Sequence, residues 1–129
     1  MAKTKKTGPS PEATPPKYAT LKKIALALPG AREVVDRHGI WFNIGTRTFA
    51  LHGMGGGRWI FKLPMAQQMM LFDARPQTFA PMRAGRLVWS YVAVENLDAA
   101  ELKDLLVAAW RVVAPKAVQA EYDGKRSGR

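Results

Sequence analysis

The sequence predicts an α+β domain: an antiparallel sheet, helices from both ends of the chain packed on one of its faces, and a short helix inserted between strands. Three observations carry that reading. Runs with apolar residues at every second position are grouped in the middle of the chain. Segments with helical apolar spacing stand at either end. A proline-started run interrupts the strands.

Each element has a local cause. Thr14-Pro15 is an N-cap followed by a first helical proline. Tyr18, Leu21, Ile24, Ala25 and Leu28 then share one helical face, with Lys17, Lys22 and Lys23 largely off it, and Pro29-Gly30 stops the helix. Residues 32–39 (REVVDRHG) read as extended. In residues 40–44 (IWFNI), Ile40, Phe42 and Ile44 alternate with Trp41 and Asn43, and Gly45-Thr46 makes a two-residue hairpin with glycine first. RTFALH (47–52) is expected to alternate through Phe49 and Leu51. RWIFKL (58–63) sets Trp59, Phe61 and Leu63 against Arg58, Ile60 and Lys62.

Pro64 opens the inserted helix, which runs through Asp73. Met65, Met69 and Phe72 are expected in the core, with Gln67 and Gln68 elsewhere. Pro81 makes residues 77–82 irregular or a short edge strand. Residues 86–95 (RLVWSYVAVE) read as the best strand, rich in β-branched and aromatic residues. Asp98 and Glu101 form a capping box, with Leu97 and Leu102 as the hydrophobic staple. Leu102, Leu105, Leu106, Ala109, Trp110 and Val113 make a continuous stripe, and Pro115 ends the helix. The expected organisation is therefore a disordered basic arm over residues 1–16, one domain over 17–115, and a flexible basic tail over 116–129.

Composition narrows the chemistry. The 129 residues carry 20 Lys+Arg against 10 Asp+Glu, a formal charge of +10. Such a balance favours acidic partners, nucleic acid among them. There is no cysteine, which removes disulfides, thiolate metal sites and a cysteine nucleophile. No apolar run reaches 18 residues and no apolar signal core opens the chain, so a cytoplasmic protein is expected. The glycine-rich GMGGGR (53–58) precedes a strand. A phosphate-cradling loop needs a helix N-terminus behind it, so a hairpin loop is the reading here. No HExxH, GxSxG or paired acidic motif is present. His38 and His52 lack a third ligand, so no catalytic residue, metal or cofactor is expected.

In order along the chain, LALPGAREVVDRHG, WFNIGTRTFA, FKLP, RLVWSYVAV and LDAAELKDLLVAAWRVVAPK resemble the MmcQ/YjbR family over about residues 18–115. Arg47 stands where the family has a hairpin lysine, and Met65-Ala66-Gln67-Gln68 replaces an acidic helix start. The resemblance implies a frataxin-like two-layer sandwich and DNA binding by a double-wing motif. It does not bring frataxin's acidic ridge, because the first helix carries Lys17, Lys22 and Lys23. Arg47 and Arg58, near the two hairpin tips, with Lys62, Arg83 and Arg86 beside them, are the expected nucleic-acid contacts. Trp41, Trp59 and Trp89 are either stacking faces or core. The expected partner is DNA, bound weakly through its backbone by a monomer with no membrane association. A non-catalytic module for a protein or small ligand is the alternative.

Overall fold

The strand rhythm sorts side chains onto two faces, and the register of the sheet shows how. The computed structural model describes residues 15–53, 57–82 and 89–128. Its strands are β1 (Ala31–Asp36), β2 (Gly39–Ile44), β3 (Arg47–His52), β4 (Trp59–Lys62), β5 (Phe79–Pro81) and β6 (Trp89–Val92). All neighbours pair antiparallel, in the order β1-β2-β3-β4-β6-β5. The helices are α1 (Tyr18–Leu26), α2 (Met65–Ala74), α3 (Ala99–Val113) and α4 (Lys116–Gly128), with a 3₁₀ turn over Val94–Asn96. This is the α+β architecture expected.

One face of the sheet builds the core. Ile40, Phe42, Phe49, Ala50, Trp59, Phe61, Val92 and Phe79 lie in it, and α3 packs across β3 and β4 while α1 packs on α3 and β1. The stripe read for α3 is the buried one, residue for residue. The Asp98 carboxylate accepts from the Glu101 amide at 2.8 Å, and the Glu101 side chain accepts from the Asp98 amide at 3.3 Å. Two fully buried tryptophans also tie segments together. Trp110 Nε1 donates to the Pro29 carbonyl at 2.9 Å, and Trp59 Nε1 donates to the Pro16 carbonyl at 3.1 Å. Pairing the indole N–H is what makes a buried tryptophan affordable.

Four local features depart from the sequence reading. First, Phe49 and Leu51 do not share a face. Phe42 opposes Ala50 while Asn43 opposes Thr48, so Phe49 is an extra residue in a β-bulge. The bulge turns both Phe49 and Ala50 into the core and reverses the phase beyond them. Leu51 therefore belongs to the opposite face.

Second, α2 is rotated. Gln68 is fully buried, donating to the Leu63 carbonyl at 3.0 Å and accepting from Ser90 Oγ at 2.6 Å, whereas Met65, Met69 and Met70 are at least half exposed. Ser90 lies on the core side of β6, opposite Phe61, and its hydroxyl needs a partner there. The glutamine meets that need, so the methionines face outward.

Third, α1 starts at Tyr18 behind Lys17, which adopts a left-handed φ of 56° and sends its Nζ to the Leu97 carbonyl. Thr14, the expected cap, lies outside the described residues. So does all but the end of the 1–16 arm.

Fourth, residues 116–128 form a helix where a flexible tail was expected. Val118 and Tyr122, four residues apart, pack against the core, with the Tyr122 and Trp110 rings 5.2 Å apart. Arg111 pairs with Asp123 at 2.6 Å, and Gln119 donates to the carbonyls of Arg111 and Ala114. Two apolar anchors and the Gln119 hook suffice to dock a helix with little apolar content.

The Gly53 end of the glycine-rich segment has a steric cause. A Cβ on Gly53 would stand 2.3 Å from the His38 carbonyl oxygen, and one on Gly39 would stand 2.0 Å from that of His52. Both glycines have positive φ, 128° and 147°. The β1–β2 turn and the end of β3 thus approach backbone to backbone. Gly53→Ala is expected to cost about 2–3 kcal/mol, the scale of a strained backbone position. Chemical denaturation checks it; an unchanged midpoint would contradict the close approach.

Candidate nucleic-acid interface

The alternation that fills the core also assembles the other face. Across it, Val34, Trp41, Leu51, Ile60, Tyr91 and Ala80 stand opposite one another in a single row over all six strands. No described helix packs on this side: α1, α3 and the buried side of α2 all meet the core face. Leu51 and Ile60 are buried in the middle of the row, while Trp41, Trp89 and Tyr91 are half-buried around them.

Cations lie on this face because of the same period of two. Arg58, Ile60 and Lys62 project to one side of β4, and Trp89 and Tyr91 project to the same side of its neighbour β6. The Arg58 guanidinium carbon sits 3.6 Å from the centre of the Tyr91 ring, and Lys62 Nζ sits 5.1 Å from that of Trp89. The ring quadrupole attracts the cation and restricts its side chain, so each charge is partly ordered before any ligand arrives. The two stand four residue steps apart along the strand, about 13 Å. Arg32 of β1 adds a third cation to the face, and Asp36 of the same strand opposes them.

The expected contact residues therefore separate into groups. Arg58 and Lys62 come together on the open face. Arg47 is exposed at the β2–β3 hairpin, whose Gly45 has a φ of 59°. That hairpin and the β3–β4 loop cap opposite ends of β3, so Arg47 and Arg58 lie at opposite ends of the sheet and Arg47 is nearer Lys62. Arg83 and Arg86 lie outside the described residues. Of the tryptophans, Trp59 is core and anchored to Pro16, whereas Trp41 and Trp89 lie on the open face. Tyr91, the ring beneath Arg58, was missed. Its position two residues after Trp89 in a strand was the available signal, but only strand order places it beside Arg58.

At the β3–β4 loop end a cleft of about 270 Å³ opens, lined by His52, Arg58, Trp59, Thr78, Tyr91 and Glu95 among others. Burial holds the His52 pKa below its ordinary value, opposed by a hydrogen bond with the Gly57 backbone. His52 also meets the Trp59 ring edge-on at 5.0 Å. Because the folded state resists protonating this imidazole, the unfolded chain binds more protons once pH falls below about 6.5. Stability is expected to drop as pH falls from there through the folded pKa. Thermal melts between pH 7.5 and 5 check this, and His52→Gln should flatten that dependence. His38 is exposed in the β1–β2 turn. Among the described residues no group of three His, Asp or Glu is placed to hold a metal ion, and no helix is long and apolar enough to cross a membrane.

Comparison with known proteins gives consistent results. Among curated proteins no relative is detectable. A solved structure, Deinococcus radiodurans protein DR2400 with its DUF419 domain, is similar in fold, with a TM-score of 0.63 and 24% identity. The similarity covers 78% of this chain and 83% of that one. The YjbR family model matches residues 26–112, from the end of α1 almost to the end of α3. With the whole sheet and almost all of α3 inside that span, which covers more than half of the chain, the chain belongs to the YjbR family.

Proposed function

We propose that the open sheet face binds nucleic acid, DNA first, through backbone phosphates, weakly and with little sequence preference. The observation that carries this reading is the pair Arg58 and Lys62. Both lie on one strand, both are braced on rings of the next, and no described helix covers their face. Ordered cations meet phosphates at a lower entropic cost than free surface lysines. The half-buried rings of Trp41, Trp89 and Tyr91 add flat apolar surface suited to single strands. Arg47 extends the basic surface at the hairpin end, and Arg83 and Arg86 precede Trp89 in sequence. The function is binding, with no reaction assigned. Fluorescence anisotropy with labelled single-stranded and duplex DNA tests it; absence of salt-dependent binding below about 10⁻³ M would refute it.

A second reading rests on the cleft at the β3–β4 end, where Arg58, His52 and Thr78 converge: a module for a small anionic ligand. A ligand at 100 times its Kd stabilises the fold by about 2.7 kcal/mol. A thermal-shift screen of nucleotides and carboxylates therefore separates the two readings. A specific stabilisation lost in Thr78→Trp but kept in Lys62→Ala would favour the cleft.

A further inference from the structure

The two edges of the sheet are unequal. β5 is three residues long, contains Pro81, which has no N–H to offer, and packs beside α2. β1 is six residues long with no proline or lysine, and leaves Val34 and Val35 38% and 50% exposed. An unblocked edge with exposed valines is a template for another strand. We propose that β1 pairs antiparallel with β1 of a second copy of this chain, with the two-fold axis through Val34, joining the two sheets into one of twelve strands.

The register follows from the sequence of β1. In an antiparallel ladder a hydrogen-bonded position faces a hydrogen-bonded one, so the axis of a self-pair passes through a residue and not between two. Centred on Glu33, the pair would set two glutamates face to face. Centred on Val35, it would set Val34 against Asp36 and ask Glu33 to find Arg37. Glu33, however, is already engaged by the Tyr18 hydroxyl and by Lys22 at 3.2 Å.

Centred on Val34, the two valines meet on the open face, and Arg32 faces the second copy's Asp36 twice. Arg32 has one long bond, 3.4 Å to the Gly45 carbonyl. Asp36 takes its three hydrogen bonds, from the His38 and Gly39 amides and Trp41 Nε1, on Oδ1 alone. Its Oδ2 is left for the incoming guanidinium. The surface is self-complementary in charge and in shape, as a two-fold interface requires. The row Val34–Trp41–Leu51–Ile60–Tyr91 then continues across the axis and doubles the open face. The proposal departs from the monomer expected from sequence, which alone does not reveal which strand is at the edge.

Sedimentation equilibrium of the full chain tests this. The mass is expected to rise from 14.3 kDa towards twice that value as concentration rises to about 1 mM, the behaviour of a small interface. Arg32→Asp places carboxylates opposite carboxylates, and Asp36→Arg places guanidiniums opposite guanidiniums, so each variant alone should stay monomeric. Mixed in equal amounts the two are complementary, and heterodimers should return. Val34→Lys and Val34→Glu give an independent pair with the same logic that leaves the Asp36 turn intact: each monomeric alone, dimeric when mixed. A wild-type chain that stays monomeric throughout, charge variants that dimerise like it, or mixtures of the Val34 pair that stay monomeric would each overturn the proposal.

Discussion

A chain with Trp110→Ala is expected to lose about 3–5 kcal/mol, enough to leave it marginally folded at 37 °C. Three losses combine. The indole is fully buried under α1 and the sheet, so its removal opens a cavity that the close-packed core cannot refill. The Pro29 carbonyl loses its 2.9 Å partner at the turn that leads into β1. Tyr122, 5.2 Å away, loses the ring against which α4 docks. Trp110→Phe separates these effects. It keeps most of the volume and loses the hydrogen bond, so about 1–2 kcal/mol is expected. Urea denaturation measures both, and near-equal midpoints for the alanine and wild-type chains would contradict the packing described for α3.

The double variant Arg58→Ala/Lys62→Ala is expected to weaken binding to all nucleic-acid sequences alike. Each neutralised phosphate contributes about −0.9 to the slope of log K against log salt on duplex and about −0.7 on single strands. Losing both contacts should therefore flatten the slope by about 1.8 on duplex and about 1.4 on single strands, from a starting affinity of about 10⁻⁴ to 10⁻⁶ M. Arg47→Ala, at the hairpin end, should remove about one further unit at most. A lysine arm binds polyanions on its own account, so the same titrations belong on a chain lacking residues 1–14. The cut stops there because Pro15 is buried and the Pro16 carbonyl receives the Trp59 indole. Binding that vanishes with the arm and ignores the double variant would sink the sheet-face reading.

What the sequence made legible were the features set by local rules. The α3 stripe and its capping box depend on spacing along one helix, and both stand where the spacing put them. The alternation in β2 and β4 likewise sorted core from open-face residues correctly, since each strand answers to one sheet. The misread features depend on partners far away in the chain. Phe49 and Leu51 part company because of a bulge set by the β2 register, and no two-residue periodicity contains that information. Gln68 is buried because Ser90, 22 residues later, needs its amide, which turns Met65 and Met69 outward while Phe72 still packs against the core as expected. The α4 helix docks through only two apolar residues, Val118 and Tyr122, whose partners at the Gly30 turn and Trp110, with Arg111 holding Asp123, lie on other elements. The site shows the same division. Arg58 and Lys62 were readable as candidates from charge and position, but the rings that hold them became visible only once β6 stood beside β4.

The most direct test of the interface is a residue-by-residue map of amide and indole chemical shifts as a short single-stranded DNA is titrated into the full chain. Perturbations are expected to converge on β4 and β6, at Arg58, Ile60, Lys62, Trp89 and Tyr91, with the Trp41 indole following and the outer sides of α1 and α3 silent. Shifts confined to residues 1–14, or gathered on the helical layer with β4 and β6 unmoved, would contradict it.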